Sequence, residues 1–154
     1  MTRHTLSFDR RGFLTAGCGL AGLAAFGASV AAAVPTATET ANIQVVKDFC
    51  AAWPSHDLDR ILSFFADNGS YRMTETMDPT KGRDALVARI RMIINNVTQF
   101  EILDTWARGP MVINERIDRF TNFQLKSWRG VGVFLLKDGK IVEWYDYTIA
   151  SERA

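Results

Sequence analysis

The sequence predicts an α+β domain in which about three N-terminal helices pack on one face of a strongly curved, mostly antiparallel sheet. Three observations lead to this fold class. Apolar residues recur at helical spacing between residues 43 and 95, β-branched and aromatic residues alternate from Thr98 onward, and apart from one strand before the third helix the helical pattern comes first. With 154 residues, 47% of them hydrophobic, the chain has enough apolar material for one domain with a core. A sheet curved around helices leaves a pocket between them, where a small apolar ligand can bind.

The first 33 residues differ in composition from the rest and predict an export signal. Arg10 and Arg11 precede an uncharged stretch rich in Ala, Gly and Leu that closes in three alanines at position 33. This pattern resembles a bacterial twin-arginine signal peptide. A membrane anchor is the alternative, but the stretch is glycine-rich and only weakly hydrophobic. We therefore predict a signal over 1–33, a linker over 34–41 and a domain over 42–154. The twin-arginine export machinery would carry the precursor to the periplasm or the medium.

Three helices are predicted in the first half of the domain. The first carries apolar residues from Ile43 to Trp53 at helical spacing and ends at Pro54. Asp57 can cap a short second helix that runs to Phe65. A third helix follows a loop and covers residues 83–95.

Five strands are predicted, one before the third helix and four after it. The turn Asp67-Asn68-Gly69 precedes the first strand, and Gly109-Pro110 and Asp138-Gly139 separate later ones. Asp-Gly between two apolar runs is a strong signal for a two-residue hairpin. The predicted strands cover residues 70–76, 98–107, 111–121, 123–136 and 140–149.

Composition excludes several classes of function. A net charge of +1 is not that of a protein built around nucleic-acid or membrane electrostatics. If the signal is removed, one cysteine (Cys50) and one histidine (His56) remain, so neither an intrachain disulfide nor a His/Cys metal cluster can form. We expect Cys50 in the core and His56 in a solvated turn. No metal and no cofactor are predicted.

Polar residues occupy strand positions where alternation calls for apolar ones. Arg116 and Asp118 project to the same face of their strand as Val112 and Phe120. On the last strand, Asp146 follows Trp144 onto a face that also holds Val142 and Thr148. Aspartate is disfavoured in strands and almost never buried unpaired. An Asp-Arg-Asp cluster would pair all three groups, and Tyr71, Met73 and Glu75 could point into the same cavity.

Two interpretations of this cluster remain open at this point. It could be a buried ion-pair network without chemistry. It could also be an acid–base pair, because an arginine between two carboxylates can hold one ionised while the other, in a drier setting, keeps its proton.

At these residues the chain resembles the limonene-1,2-epoxide hydrolase family, within the nuclear transport factor 2-like (SnoaL-like) superfamily. The resemblance covers about residues 45–147. It rests on the segments Asn114-Glu115-Arg116-Ile117-Asp118, Gly132-Val133-Phe134, Trp144-Tyr145-Asp146-Tyr147 and Gly82-Arg83-Asp84-Ala85.

The resemblance implies a cone-shaped curved sheet, a homodimer and the cofactor-free addition of water to a small apolar epoxide. It implies that Asp146 activates water, Asp118 protonates the epoxide oxygen, Arg116 bridges the carboxylates and Tyr71 holds the water. The substrate pocket would include Met73, Asn114, Trp144 and Phe120. Met73 stands where the family has a water-holding asparagine, so either Thr74 or Asn114 takes that role or hydrolysis is weak.

Two other functions stay compatible with the sequence. An isomerase or cyclase of the same superfamily would use Asp146 or Asp118 as a base on a carbon acid, with Tyr71 as oxyanion donor. A non-catalytic exported domain would bind an apolar ligand without converting it.

Overall fold

The computed structural model describes residues 34–121 and 124–153. Within them, two helices come before the first strand, a third lies between the second and third strands, and the six strands form one curved sheet. This architecture confirms the predicted α+β class. The helices are α1 (Ala37–Ala52), α2 (Leu58–Leu62) and α3 (Arg83–Ile93). The strands are β1 (Phe65–Arg72), β2 (Thr80–Lys81), β3 (Val97–Arg108), β4 (Met111–Phe120), β5 (Leu125–Lys137) and β6 (Lys140–Arg153).

The sheet has the order β2-β1-β6-β5-β4-β3, and every neighbouring pair is antiparallel except β1 with β6. The long meander β3–β6 has the predicted hairpin at Asp138-Gly139, where both residues take positive φ, 51° and 72°. Asn, Asp and Gly tolerate this conformation best, which is why the dipeptide predicted the turn.

Two elements begin earlier than the sequence predicts. Helix α1 starts at Ala37, inside the predicted linker, because Thr36 and Glu39 form a capping box with bonds of 3.2 and 2.8 Å. Strand β1 starts at Phe65, where the sequence predicts the end of the second helix, and it runs through the predicted turn Asp67-Asn68-Gly69. The pairing of β1 with β6 changes register within that segment, so the turn residues form an irregularity in a strand.

The core lies between the helices and the concave face of the sheet. Phe49 of α1 is its hub and makes edge contacts with five rings, at centroid distances of 5.1–5.9 Å. These rings belong to Trp53, Phe64, Phe65, Phe134 and Trp144. Cys50 is buried in this core, as predicted, and burial raises the pKa of its thiol to about 12, so the thiol stays protonated. His56 is exposed in a turn, as predicted, with Nε2 2.8 Å from the carbonyl oxygen of Val97.

The outer face of the sheet carries half-buried aliphatic side chains that alternate with the buried ones. They are Ile113, Ile117, Val131, Val133 and Leu135. The homodimer stays a prediction. The predicted signal over 1–33 lies outside the described residues. Within residues 34–121 and 124–153, no helix combines the length and apolar character that crossing a membrane requires.

Candidate active site

An ion-pair network at the centre of the concave face joins Arg116 to two aspartates. Arg116 Nε lies 2.8 Å from Asp118 Oδ1, and Nη2 lies 3.3 Å from Asp118 Oδ2 and 2.9 Å from Asp146 Oδ1. Both carboxylates therefore contact the same nitrogen, Nη2 of Arg116. The distance between Asp118 Oδ2 and Asp146 Oδ1 cannot exceed the sum of the two bonds, 3.3 and 2.9 Å. All three side chains are buried, with residue exposures of 0, 5 and 3%. The sequence predicted this cluster, and the structure brings it together.

Strand register and two glycines make room for this network. Arg116 of β4 lies opposite Gly130 of β5, and Gly132 of β5 lies opposite Asp146 of β6. A Cβ at Gly132 would collide with Nη1 of Arg116 and stand 2.7 Å from Cε2 of Phe134. At Gly130, a Cβ would collide with the indole of Trp128. Because Gly130 and Gly132 have no side chains on the inner face, the Trp128 indole and the Arg116 guanidinium can lie flat against the sheet.

We expect Gly132→Ala to destabilise the domain by about 1–3 kcal/mol, because the added methyl group overpacks a site that is already filled by Arg116. Chemical denaturation followed by circular dichroism measures the change. Lys126→Ala, at an exposed position of the same strand, is the control and should stay within about 0.5 kcal/mol of the parent. A Gly132→Ala variant as stable as the parent would show that Arg116 is not packed against Gly132.

Three aromatic rings surround the Arg116 guanidinium. Its Cζ lies 4.9, 5.2 and 5.4 Å from the ring centroids of Phe100, Trp128 and Trp144. Such contacts stabilise a buried cation. They matter here because the buried Nη1 of Arg116 has no hydrogen-bond partner among residues 34–121 and 124–153. Burial alone would lower the pKa of Arg116, but Asp118 and Asp146 raise it above its ordinary value. Arg116 is therefore a permanent positive charge between the two carboxylates.

Asp146 accepts more hydrogen bonds than Asp118. Its Oδ1 accepts from Trp144 Nε1 at 2.7 Å as well as from Arg116, and its Oδ2 accepts from the Tyr71 hydroxyl at 3.2 Å. The ring of Tyr71 stacks on that of Trp144, with centroids 3.8 Å apart, which fixes both donors. Within the described part of the chain, Asp118 accepts two hydrogen bonds, both from Arg116.

The surroundings of the two aspartates separate their protonation states. Burial raises the pKa of Asp118 from 3.8 to about 7, and the nearby Asp146 charge adds to the increase while Arg116 opposes it. Burial also raises the pKa of Asp146, but Arg116, Trp144 and Tyr71 all donate hydrogen bonds that favour its ionised form. The pair can thus hold one proton near neutral pH. Asp146 accepts more hydrogen bonds than Asp118, so Asp146 is the carboxylate that ionises first. Two carboxylates with different environments provide an acid next to a base.

A mostly apolar cavity of about 100 Å³ adjoins the network. Five of the eight residues predicted for the site line it: Tyr71, Met73, Asp118, Phe120 and Asp146. The other three lie outside its lining. Arg116 and Trp144 are fully buried next to the carboxylates, and Asn114 is buried with its amide nitrogen on Thr105 Oγ1 at 2.7 Å and its oxygen 3.7 Å from Cys50 Sγ.

Thr74, which the sequence offered as a substitute for the water-holding asparagine, also lines the cavity. The other lining residues were not singled out from the sequence. They are Ile93, Asn96, Val97, Phe100, Leu125 and Trp128. For Trp128 a signal was available, because it shares the inner face of β5 with Gly130 and Gly132, which leave space in front of them. Residues 93–97 come from the end of α3 and the start of β3, and only the packing of that junction against the sheet reveals them.

Among residues 34–121 and 124–153, no group of three or more His, Cys, Asp or Glu side chains is arranged to hold a metal ion.

The combination of a helix-backed curved sheet and an inward-facing polar cluster defines the class of this protein. The family model of the SnoaL-like domain matches residues 46–144, well over half of the chain. The chain therefore belongs to the SnoaL-like domain family.

Solved structures of similar fold include two epoxide hydrolase-like proteins and one designed protein. An LEH-like epoxide hydrolase from M. tuberculosis is 26% identical, with a TM-score of 0.64, and the match covers 72% of this chain and 84% of that one. The epoxide hydrolase/cyclase-like enzyme SalBIII, which has a role in pyran ring formation in the polyether salinomycin, is 20% identical with a TM-score of 0.66, covering 71% and 91%. A de novo designed protein with a curved β-sheet is 15% identical with a TM-score of 0.60, covering 71% and 85%. The last two likenesses concern the fold alone.

Proposed function

We propose that this protein is a hydrolase that adds water to a small apolar epoxide by concerted acid–base catalysis. The observation that carries the proposal is the buried Asp118–Arg116–Asp146 network at the wall of an apolar cavity. The likeness to an LEH-like epoxide hydrolase supports it. The step needs one proton donor and one proton acceptor, and the network has both.

In the proposed step, Asp146 takes a proton from water while the water oxygen attacks one epoxide carbon. The bond from that carbon to the epoxide oxygen breaks, and the oxygen receives the proton of Asp118. The product is a vicinal diol, with Asp146 protonated and Asp118 ionised. Transfer of one proton from Asp146 to Asp118, directly or through solvent, restores the starting state. Positioned acids and bases of this kind contribute about 10²–10⁴ to rate.

The hydrogen bonds of the two aspartates support different roles for them in this proposal. Asp146 is the base, because its three donors keep it ionised, and Asp118 is the acid, because its pKa of about 7 leaves it protonated below neutrality. Tyr71 donates to Asp146 Oδ2 and so orients the oxygen that receives the proton.

Met73 lines the cavity where an asparagine would hold the water, and a thioether is at best a weak acceptor. Asn114 cannot easily replace this asparagine, because its amide nitrogen donates to Thr105 and it lies outside the cavity lining. Thr74 does line the cavity, and its hydroxyl lies 3.2 Å from that of Thr76. Thr74 is therefore the proposed water contact.

Incubating the purified protein with cyclohexene oxide in ¹⁸O-labelled water tests the proposal. We expect a diol with one labelled oxygen, detected by mass spectrometry. Diol should form well above the rate of spontaneous hydrolysis in buffer without protein. Absence of enzymatic diol from cyclohexene oxide and from other small cyclic epoxides would contradict the proposal and leave a ligand-binding domain.

In the isomerase or cyclase alternative, Asp146 or Asp118 is the base and Tyr71 is the candidate oxyanion donor; in this structure the Tyr71 hydroxyl donates to Asp146 Oδ2. A ketone substrate that exchanges deuterium at carbon, without diol formation from epoxides, would support the isomerase.

The predicted twin-arginine signal would place this reaction outside the cytoplasm. Cell fractionation of the full chain and of an Arg10→Lys/Arg11→Lys variant tests this prediction. We expect the parent in the periplasm and the variant retained in the cytoplasm.

A further inference from the structure

Asn96 is a polar residue of the cavity lining that the proposed reaction does not use. Four other polar residues of the lining already have roles: Tyr71, Asp118 and Asp146 in the hydrogen-bonded network, and Thr74 as the proposed water contact. Asn96 comes from a different part of the fold. It is the last residue of the short 3₁₀ helix Ile94–Asn96, which joins α3 to β3.

The backbone holds Asn96 beside the end of β4, away from the carboxylates. Its carbonyl oxygen accepts from the backbone nitrogen of Thr121 at 2.8 Å. Thr121 follows Asp118 by three residues, which is about 10 Å at the spacing of an extended strand. Phe120, which also lines the cavity, comes between them in the chain. Asn96 and Asp118 therefore belong to different ends of the cavity lining.

The carboxamide of Asn96 keeps hydrogen-bonding capacity for a ligand. Within the described part of the chain, Nδ2 makes one contact, with the carbonyl oxygen of Met92 at 3.5 Å, and Oδ1 accepts no hydrogen bond. That contact lies beyond the usual range of hydrogen-bond lengths. Asn96 is half-buried, so an entirely apolar molecule in the cavity would take water away from Oδ1 without replacing the hydrogen bond. A hydroxyl on the molecule would replace it.

We propose that Asn96 is a substrate-binding residue whose side-chain oxygen accepts a hydrogen bond from a hydroxyl of the substrate. The protein then favours an otherwise apolar epoxide that carries a hydroxyl group remote from the epoxide carbons. A site built to bond a hydroxyl discriminates against the analogue that lacks it, because a polar group of the protein is left unpaired. The epoxide in this inference rests on the proposed function, whereas the contact of Asn96 with a hydroxyl depends only on the cavity.

The kinetic test compares two substrates that differ in one group. Both are cyclohexene oxides substituted on a ring carbon across from the epoxide, one with a hydroxymethyl group and the other with an ethyl group. We expect the ratio of kcat/KM for the alcohol to that for the ethyl compound to fall about fivefold in Asn96→Leu, the effect of losing one neutral hydrogen bond. Asn96→Gln keeps the amide on a longer side chain, and its ratio should lie between those of Asn96→Leu and the parent.

Asn95→Leu is the matched control, because Asn95 is exposed and does not line the cavity. It should leave the ratio unchanged. An unchanged ratio in Asn96→Leu, or a fall of the same size in Asn95→Leu, would contradict the role of Asn96.

A binding test separates this contact from catalysis. In a nuclear magnetic resonance titration, cyclohexylmethanol should shift the side-chain amide signals of Asn96, which are identified by their absence in Asn96→Leu. The methyl ether of the same alcohol has no hydroxyl hydrogen, so the parent should bind it about fivefold more weakly. Asn96→Leu should bind the alcohol and the ether about equally.

The binding result is read independently of turnover. If this pattern appears but no epoxide is hydrolysed, the proposed function fails and the contact of Asn96 with a hydroxyl stands. If the parent binds neither compound, binds the ether as tightly as the alcohol, or keeps its preference after Asn96→Leu, the role of Asn96 is refuted whether or not epoxides react.

Discussion

Asp146→Asn and Asp118→Asn are each expected to lower kcat for epoxide hydrolysis by about 10²–10⁴ while the domain stays folded. An asparagine at 146 cannot take the proton of water, and one at 118 cannot release a proton to the epoxide oxygen. Both amides keep an oxygen that can accept from Arg116, so the bonds at 2.8 and 2.9 Å have an acceptor in either variant. Steady-state kinetics with cyclohexene oxide measures the loss.

The control for this pair is Asp59→Asn, at an exposed position of α2, which should keep full activity. Circular dichroism and thermal unfolding should show that Asp118→Asn is about as stable as the parent, since Asp118 already holds a proton below its pKa of about 7 and the variant keeps the same charge. Asp146→Asn should stay folded but lose stability, because it leaves the buried Arg116 without its ionised partner. If kcat of either variant stays within a few-fold of the parent value, the network does not take part in the reaction. Equal ligand binding by the parent, Asp118→Asn and Asp146→Asn, without any product, would identify a binding domain instead.

Arg116→Met is expected to destabilise the domain by about 3–5 kcal/mol near pH 8, because it leaves two buried carboxylates without their shared cation. The loss should shrink as the pH falls. In the parent, the pKa of Asp118 is about 7 in the folded state against an ordinary value of 3.8, so the folded protein binds the additional proton over this range. Stability contributed by this group therefore decreases as the pH rises from about 4 to 7. Removing Arg116 raises both aspartate pKa values further and steepens this dependence.

Urea denaturation of Arg116→Met at pH 5 and at pH 8 measures this effect. The matched control is Arg119→Met, which removes an exposed arginine that pairs with Glu101 on the outer face, and it should cost less than about 1 kcal/mol at either pH. An Arg116→Met variant with the same small loss as Arg119→Met, and no dependence on pH, would mean that the carboxylates are solvated and that the buried network does not exist.

The three helices, the order of five of the six strands and the identity of the polar cluster could be predicted, because they depend on local patterns. The two-residue strand β2, which lies in the predicted loop before α3, was missed because its only signal is its pairing with β1. Asp118 and Asp146 occupy inner-face positions of strands, and a buried carboxylate needs a partner, so Arg116 on the same face followed from the sequence. The start of α1 could also have been predicted, since Thr36 and Glu39 have the spacing of a capping box.

Other features depend on register and on contacts between distant segments. The sequence places Val142 on the inner face of β6, but pairing shifts between Leu135 and Leu136, and Ile141 is the buried residue instead. Asn114 lies on the predicted face, yet its amide is engaged by Thr105 of the neighbouring strand. Neither a bulge nor the hydrogen-bond partner of a buried amide can be predicted from alternation.

The central claim is that the two buried aspartates hold a single proton near neutral pH, on Asp118. Carboxyl ¹³C nuclear magnetic resonance of the labelled protein, assigned with the two Asp→Asn variants, measures this directly. We expect the Asp118 carboxyl to titrate with a pKa of about 7 while Asp146 is already ionised at that pH, and epoxide hydrolysis to fall above pH 7 as Asp118 loses its proton. Both carboxyls ionised throughout pH 5–8, or the proton residing on Asp146, would contradict the account.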